Sequence, residues 1–234
     1  MIEGFRLGVF SRGTTLWDGL DFAFGDAAAW FVAGPPSSGK TLLLSILRGE
    51  RRPDAGDVVV SGESLYRGNP ALARAWRASC GHVPEQAIAD ARLTVGDLFR
   101  RSALAGGGVR ESERKDRTDR LLEMVGLPGA LEWRIAELSI SERVRACLAA
   151  ELLRGPKVLF CDGVVAGAGI PFREMLWELF RALAREGNTV VLAERTIPER
   201  WALAAGDAEP VGPFRVYRLP VPGAGVTGVK GGPG

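Results

Sequence analysis

The residues whose types and spacing best suit a chemical role lie in the segment AGPPSSGKT, residues 33–41. Gly34, Gly39, Lys40 and Thr41 match the pattern G-x-x-x-x-G-K-[ST] in full. A strand-like run precedes the segment and a helix-like run follows it, so backbone N–H groups and a helix N-terminus point at a bound phosphate. Lysine adds a positive charge for the terminal phosphates, and threonine adds a hydroxyl for Mg²⁺. The segment therefore predicts a phosphate-binding loop; a chance glycine turn before a helix is the alternative.

Three residues of this loop depart from the usual composition. Pro35 and Pro36 lack the N–H groups that donate to phosphate. Ser37 stands where phosphate loops often have glycine, and if that position needs a positive φ angle, serine costs about 1 kcal/mol. We expect nucleotide binding to survive with reduced affinity.

A single carboxylate, Asp162, ends the apolar run at 158–161. A carboxylate at the end of a buried strand can orient Mg²⁺ through water, whereas the plain alternative is an aspartate that caps a turn. The two interpretations weigh equally for the residue alone, and the phosphate loop favours the metal role. Gly163 follows, where many nucleotide-hydrolysing proteins have a second carboxylate.

The elements that must position these residues alternate between strand and helix. Strand-like segments cover 5–10, 20–24, 28–33, 57–60, 157–161 and 189–193. Helix-like segments cover 41–50, 110–127, 141–153 and 172–186. Strand, helix, strand at this spacing implies a parallel sheet with crossover helices, and therefore an α/β fold.

Composition and charge limit the classes of function. Of the 234 residues, 46% are hydrophobic and 25% are charged, which is typical of a soluble globular protein. The net charge of +2 gives no argument for a nucleic-acid surface. No apolar run approaches the roughly 18 residues that span a bilayer, and the N-terminus lacks a signal-peptide pattern. We expect a cytosolic protein with no nucleic-acid partner, in which Cys80, Cys147 and Cys161 are buried free thiols.

The order and spacing of several short motifs resemble the ATPase subunit of an ABC transporter, from about residue 2 to residue 220. The resemblance implies an α/β P-loop NTPase fold of the ABC type, with a parallel-sheet core, an N-terminal antiparallel β subdomain and a helical subdomain. The core would comprise residues 1–84 and 156–220, the helical subdomain with the signature motif residues 85–155, and a flexible glycine-rich tail residues 221–234. The loop residues that would contact ATP are Gly34, Pro35, Pro36, Ser37, Ser38, Gly39, Lys40, Thr41 and Leu42.

Further motifs extend the implied site. In this family an aromatic residue near the N-terminus stacks on adenine and corresponds to Phe10, whose plain alternative is a core residue at a strand end. CGHVPEQ, residues 80–86, resembles the Q-loop, and the family's metal-contacting glutamine falls on Glu85. LTVGDLF, residues 93–99, resembles the segment that leads into the region that normally touches the membrane subunit. The resemblance implies ATP and Mg²⁺ as cofactors, with metal contacts from Thr41, Glu85 and Asp162.

The segment LSISER, residues 138–143, falls where the family signature LSGGQ stands. Ser139 is kept and Glu142 is an acceptable ending, but Ile140 and Ser141 replace two glycines. In the family these residues reach across a dimer to the γ-phosphate bound on the partner. Glycine permits close backbone approach, so the β-branched side chain of Ile140 is expected to impair that contact.

Three positions depart from the family where its members polarise the attacking water. Gly163 replaces the catalytic glutamate, AGAG at 166–169 replaces a D-loop segment that ends in aspartate, and Arg195 replaces the H-loop histidine. Loss of a positioned base typically slows a reaction about 10²–10⁴-fold. Arg195 could hold the γ-phosphate as a fixed cation or be a surface arginine. Glu85 is a candidate replacement base, although a contact to Mg²⁺ or a salt bridge is its better-supported role.

These features predict a degenerate ATP-binding subunit with weak or absent hydrolysis. It would pair with a second nucleotide-binding subunit, as a homo- or heterodimer, and with an integral membrane permease at the cytoplasmic face of the membrane. Such a complex would serve transport or envelope remodelling, since the charged middle region also resembles the cell-division and lipoprotein-release branches of the family. Three alternatives stay open: an active ATPase with Glu85 or a partner residue as base, a P-loop small-molecule kinase, and a scaffold that no longer binds nucleotide.

Overall fold

The chain folds around two β-sheets, numbered here with their helices in chain order. A computed structural model describes residues 1–11, 14–85, 92–105, 110–165, 168–196 and 214–220. The first sheet is antiparallel and consists of β1 (Ile2–Ser11), β2 (Thr14–Phe24), β4 (Ala55–Val60) and β5 (Glu63–Ser64), in the spatial order β2-β1-β4-β5. Alternate side chains such as those of Leu7 and Val9 are buried because successive residues of a strand point to opposite faces.

The second sheet is parallel and carries the elements that position the predicted site. Its strands are β3 (Ala29–Ala33), β6 (Cys80–Val83), β7 (Val158–Asp162), β8 (Thr189–Glu194) and β9 (Phe214–Arg218), in the spatial order β6-β7-β8-β3-β9. Every residue of β7 and β8 is buried, as expected for strands covered on both faces. The carboxyl ends of β3, β7 and β8 therefore meet at one edge, where ligands bind in open α/β sheets.

Six helices accompany these strands in the described part of the chain. They are α1 (Lys40–Leu47), α2 (Pro70–Ser79), α3 (Val95–Ala105), α4 (Glu111–Met124), α5 (Ile140–Leu153) and α6 (Ile170–Arg185), with two short 3₁₀ turns at Ala130–Glu132 and Ile135–Glu137. Asn69 caps α2 by accepting a hydrogen bond from the Ala71 amide, and Pro70 occupies the first helical position, where its missing N–H costs nothing. Among the described residues, no helix is both long enough and apolar enough to cross a membrane.

Two buried clusters hold the fold together. One lies between the two sheets and includes Trp17, Phe24 and Phe160. The other joins the second sheet to the helices and includes Phe180 and Leu148. The phosphate-loop helix α1 packs in the first cluster through its buried leucines, so the loop is anchored to both sheets.

The predicted α/β fold, with a parallel core sheet and an N-terminal antiparallel sheet, is confirmed. The three cysteines are buried and free, as predicted. The helix expected at 110–127 ends at Met124, and the sequence analysis did not identify α2, α3 or β9. The division into residues 1–84 with 156–220 and residues 85–155 stays a prediction, and the tail 221–234 lies outside the described residues.

Candidate nucleotide-binding site

The loop between β3 and α1 has the backbone that its glycine pattern predicts. Gly39 has a φ angle of +89° and directly precedes α1. A Cβ at Gly39 would lie 2.4 Å from Cζ2 of Trp17, so both the angle and the space require glycine. Ser37 adopts a φ angle of +62°. Its backbone therefore has the left-handed conformation for which we expect serine to cost about 1 kcal/mol.

Trp17 braces this loop from the first sheet. Its indole Nε1 donates to the carbonyl oxygen of Ser38 over 2.8 Å, and both residues are buried. The Ser38 amide in turn donates to the carbonyl oxygen of Pro35 over 3.2 Å. These bonds satisfy backbone groups inside the loop and hold it in one shape, which the sequence pattern alone did not reveal.

The ammonium of Lys40 lies inside the loop. Its Nζ donates to the carbonyl oxygens of Gly34 and Pro35, each over 2.8 Å, and the residue is 9% exposed. Burial lowers the pKa of Lys40, while the nearby carboxylate of Asp162 opposes that shift. The predicted role of Lys40 is to donate to the terminal phosphates. A phosphate bound in this loop would therefore compete with the two carbonyl oxygens for the ammonium.

Thr41 and Asp162 lie together, although they are far apart in the sequence. The Thr41 hydroxyl lies beside the Asp162 carboxylate at the end of β7. Burial raises the pKa of Asp162, and the nearby Thr41 hydroxyl opposes this shift. A hydroxyl and a carboxylate are hard oxygen ligands of the kind Mg²⁺ takes together with substrate phosphates. Among the described residues, no group of three His, Cys, Asp or Glu side chains lies close enough together to hold a metal ion.

Glu85 fills the space beside Gly163. In the second sheet Val83 of β6 pairs with Cys161 of β7, so the residues two positions further on emerge side by side. A Cβ at Gly163 would lie 2.8 Å from Cγ of Glu85 and 3.1 Å from its Cδ. The backbone of Gly163, with a φ angle of +62°, is fixed by its amide, which donates to the Ala193 carbonyl over 2.8 Å.

Arg195 joins this group from the end of β8. Its Nη2 lies 3.4 Å from Oε1 of Glu85, in an ion pair whose side chains are 65% and 52% exposed. Both charges also act on Lys40, so the two side chains lie near the phosphate loop. The structure thus gathers Lys40, Thr41, Glu85, Asp162 and Arg195 in one place.

The structure adds one residue that the sequence analysis overlooked. Glu194 is 1% exposed at the end of β8, where it pairs with Ala33 in the sheet register. Its Oε1 accepts a hydrogen bond from the Val165 amide over 2.8 Å, which fixes the backbone after Asp162. The sequence contains one sign of this role, because Glu194 is a charged residue that directly follows the apolar run TVVLA at 189–193.

The signature residues form the N-terminus of α5. The Ser139 hydroxyl accepts from the Glu142 amide over 3.3 Å, and the Glu142 carboxylate accepts from the Ser139 amide over 2.8 Å. This capping box lowers the pKa of Glu142. The side chain of Ile140 is 75% exposed, and no hydrogen bond or ion pair of the described residues joins Ile140 or Ser141 to the phosphate loop.

Phe10 lies near the end of β1, opposite Thr15 of β2, and is 48% exposed. Its amide donates to Oδ2 of Asp54 over 2.8 Å. At this exposure Phe10 is not part of the buried core, and its contact with adenine stays a prediction.

Comparisons with known proteins identify relatives of the chain. Residues 17–166 match the family model described as ABC transporter. The chain is 32% identical over 188 residues to Nod factor export ATP-binding protein I of Paraburkholderia xenovorans (strain LB400), a match that covers 79% of this chain and 59% of that protein. It is 31% identical over 180 residues to an uncharacterized ABC transporter ATP-binding protein of Thermotoga maritima, covering 76% of each.

A solved structure supports the fold. It is a dimeric ATP-binding cassette in a post-hydrolysis state bound to ADP and Pi, with a TM-score of 0.75 at 19% identity, and the match covers 84% of this chain and 88% of that one. At this identity the likeness shows the fold alone. The match spans 58–59% of the length of the Nod factor export relatives.

Proposed function

Because this chain belongs to the ABC transporter family, we propose that it binds ATP with Mg²⁺ and hydrolyses ATP slowly or not at all. The binding half of the proposal draws on the loop geometry. The amides at the start of α1 would donate to the phosphates, and the Lys40 ammonium would neutralise their charge. Thr41 and Asp162, whose side chains lie side by side, would hold Mg²⁺ with Glu85. When bound, Mg²⁺ would supply positive charge that offsets the negative charge of the phosphates.

The proposal of weak hydrolysis is supported by the contacts of Glu85 with Gly163 and Arg195. Gly163 has no side chain with which to orient water. The carboxylate that takes its space is ion-paired through Oε1 with the Arg195 guanidinium, which competes with water for that oxygen. Arginine stays protonated and accepts no proton. Phe10 and Arg195 are proposed to contact adenine and γ-phosphate respectively.

The proposed partners are a second nucleotide-binding subunit and a membrane permease, with the chain at the cytoplasmic face of the membrane. A structural neighbour is dimeric, and one relative is named for Nod factor export. Export by a complex of this kind is therefore the proposed setting. In such a dimer the exposed Ile140 would stand between the signature backbone and the partner's nucleotide, which impairs the contact across the interface. The cell-division and lipoprotein-release branch stays a prediction.

Two measurements on the purified chain test this proposal. Calorimetric titration with ATP and Mg²⁺ should show saturable binding that Lys40→Ala abolishes and that the exposed control Lys157→Ala retains. Phosphate release should fall about 10²-fold or more below the rates of order 1 s⁻¹ and above that are typical of enzymes. Absence of binding at millimolar ATP would favour the scaffold alternative instead.

A second candidate function is an active ATPase in which Glu85 is the base. The observation that favours it is the position of the Glu85 side chain in the space beside Gly163. This candidate predicts ordinary turnover that Glu85→Gln removes while ATP binding persists. The alternative of a small-molecule kinase loses support because the match is to the ABC transporter family.

A further inference from the structure

Three positions at which the chain departs from its family meet at the carboxyl end of β7. Glu85 lies beyond β6, Gly163 directly follows β7 and Arg195 directly follows β8. Because β7 lies between β6 and β8 in the sheet, Glu85 and Arg195 come from strands about 9–10 Å apart. Their ion pair, 3.4 Å from Nη2 to Oε1, therefore spans the end of β7 and passes beside Gly163.

The absence of a side chain at residue 163 leaves room for this ion pair. A Cβ there would lie 2.8 Å from Cγ of Glu85 and 3.1 Å from its Cδ, so a side chain at residue 163 would push the glutamate aside. The Gly163 amide donates to the Ala193 carbonyl, which holds the backbone in this place. The three departures are therefore linked, because the glutamate and the arginine can pair only where residue 163 is glycine.

The ion pair lies near the expected place of the terminal phosphate. Burial lowers the pKa of Lys40 most, and Asp162 opposes that shift. Arg195 lowers this pKa further and Glu85 raises it, so both charges lie near the ammonium. In a phosphate loop of this pattern the lysine reaches the β- and γ-phosphates. A third phosphate would therefore bring its charge close to both members of the pair, whereas a diphosphate ends one phosphate earlier.

We infer, on the basis of the proposed binding of ATP, that the ion pair between Glu85 and Arg195 is a latch that a nucleoside triphosphate opens and a diphosphate does not. The third phosphate would attract the Arg195 guanidinium, whose planar N–H donors suit phosphate oxygens. Glu85 has the same sign of charge as the phosphate and would be repelled, which frees its Oε1 for the proposed contact to Mg²⁺. Part of the attraction between Arg195 and the triphosphate is used to open the pair. The latch therefore lowers the affinity for ATP and leaves the affinity for ADP unchanged.

The exposure of the pair sets the size of this effect. The two side chains are 65% and 52% exposed, and ion pairs in contact with water are weak. Their usual strength corresponds to a change of about 1.4–5-fold in affinity. The latch therefore adjusts the discrimination between ATP and ADP and does not close the site. Concentrated salt should weaken it further, because exposed charges are screened.

The test is a double-mutant cycle of nucleotide affinity in the full chain. ATP and ADP are titrated by calorimetry into the native chain, Glu85→Gln, Arg195→Gln and the double variant. The titrations are run with EDTA, which removes any metal contact to residue 85, and are repeated with Mg²⁺. The matched control is the same cycle with Glu178→Gln and Arg181→Gln on α6, where the ion pair has a similar length of 3.5 Å.

Arg195→Gln should weaken ATP binding about 1.4–5-fold more in the Glu85→Gln background than in the native chain, because no latch has to open there. With EDTA, Glu85→Gln alone should tighten ATP binding and leave ADP binding unchanged. The cycle for ADP and the control cycle should show no coupling.

Two results would overturn the inference and leave the proposed function intact. They are additive effects of the two substitutions on ATP affinity, and a coupling of equal size for ATP and ADP. If the native chain binds ATP neither with EDTA nor with Mg²⁺, the proposed function fails and the latch fails with it.

Discussion

The contact between Gly163 and Glu85 predicts that a single methyl group at residue 163 is costly for two separable reasons. Gly163→Ala places a Cβ where Cγ of Glu85 lies 2.8 Å away, and it puts alanine at a φ angle of +62°. The hydrogen bond from the residue 163 amide to the Ala193 carbonyl keeps this backbone from relaxing. Glu85 must therefore move away from Arg195.

The size of each cost follows from the geometry. A left-handed backbone costs a residue with a side chain about 1–2 kcal/mol. Overpacking costs about 1–3 kcal/mol in a closed core, and we expect the lower end because the half-exposed Glu85 side chain can rotate into solvent. Gly163→Ala should then destabilise the chain by about 2–3 kcal/mol. In the Glu85→Ala background the contacts with Cγ and Cδ are gone, and the backbone cost of about 1–2 kcal/mol remains together with a milder approach of 3.2 Å to the Cβ of residue 85.

Thermal unfolding of the nucleotide-free proteins measures this difference. A coupling of about 1 kcal/mol corresponds to about 2–4 °C in Tm for a chain of this size. Gly129→Ala is the matched control, because Gly129 has a φ angle of +71° and an added Cβ there would have no neighbour within 4 Å. If Gly163→Ala costs the same with and without Glu85, the two side chains do not compete for one space, and the assignment of Glu85 to the position beside Gly163 is wrong.

Three further predictions concern the supports of the site. Trp17→Phe removes the indole donor to the buried Ser38 carbonyl and should cost about 1–3 kcal/mol in urea unfolding; an unchanged midpoint would refute the bracing role. Ser139→Ala removes the cap of α5 and should cost about 0.5–2 kcal/mol, whereas Ser141→Ala, at the second helical position, should cost less; equal losses would contradict the capping geometry. Hydrogen bonds from Thr94 and Arg100 lower the pKa of Asp97 to about 2 from an ordinary 3.8, so its carboxylate stabilises the fold above about pH 4 and ceases to do so as the pH falls through 2. Stability measured against pH should therefore show a gap between the native chain and Asp97→Asn that closes between pH 4 and pH 2; a gap that persists at pH 2 would exclude this source.

The parts of the site that the sequence predicts depend on local pattern. The phosphate loop needs glycine, lysine and threonine at fixed spacing between a strand and a helix, and all of these are visible within residues 28–47. Asp162 is visible because an apolar run stops at it. The helices α1, α4, α5 and α6 are visible because apolar residues recur at helical spacing or capping residues precede them.

The parts that the sequence does not predict depend on contacts between distant segments. The helix α2 has no fully buried residue, and its apolar residues Leu72, Ala73 and Trp76 cover little more than one turn, so the sequence analysis missed both this short pattern and the cap, Asn69 before Pro70. The proximity of Glu85 to Gly163 follows from the pairing of β6 with β7, which needs the strand order of the sheet. The bond from Trp17 to Ser38 likewise joins two sheets, and no local pattern predicts it.

The most direct test of the central claim is to identify the nucleotide that the chain retains. The purified protein is incubated with radiolabelled ATP and Mg²⁺ for many minutes, separated from free nucleotide, denatured, and its bound nucleotide resolved by chromatography. Firm binding with little hydrolysis predicts that most of the label is recovered as ATP, and that Lys40→Ala retains none. Recovery of the label as ADP would contradict the account, as would the absence of any retained nucleotide in the native chain.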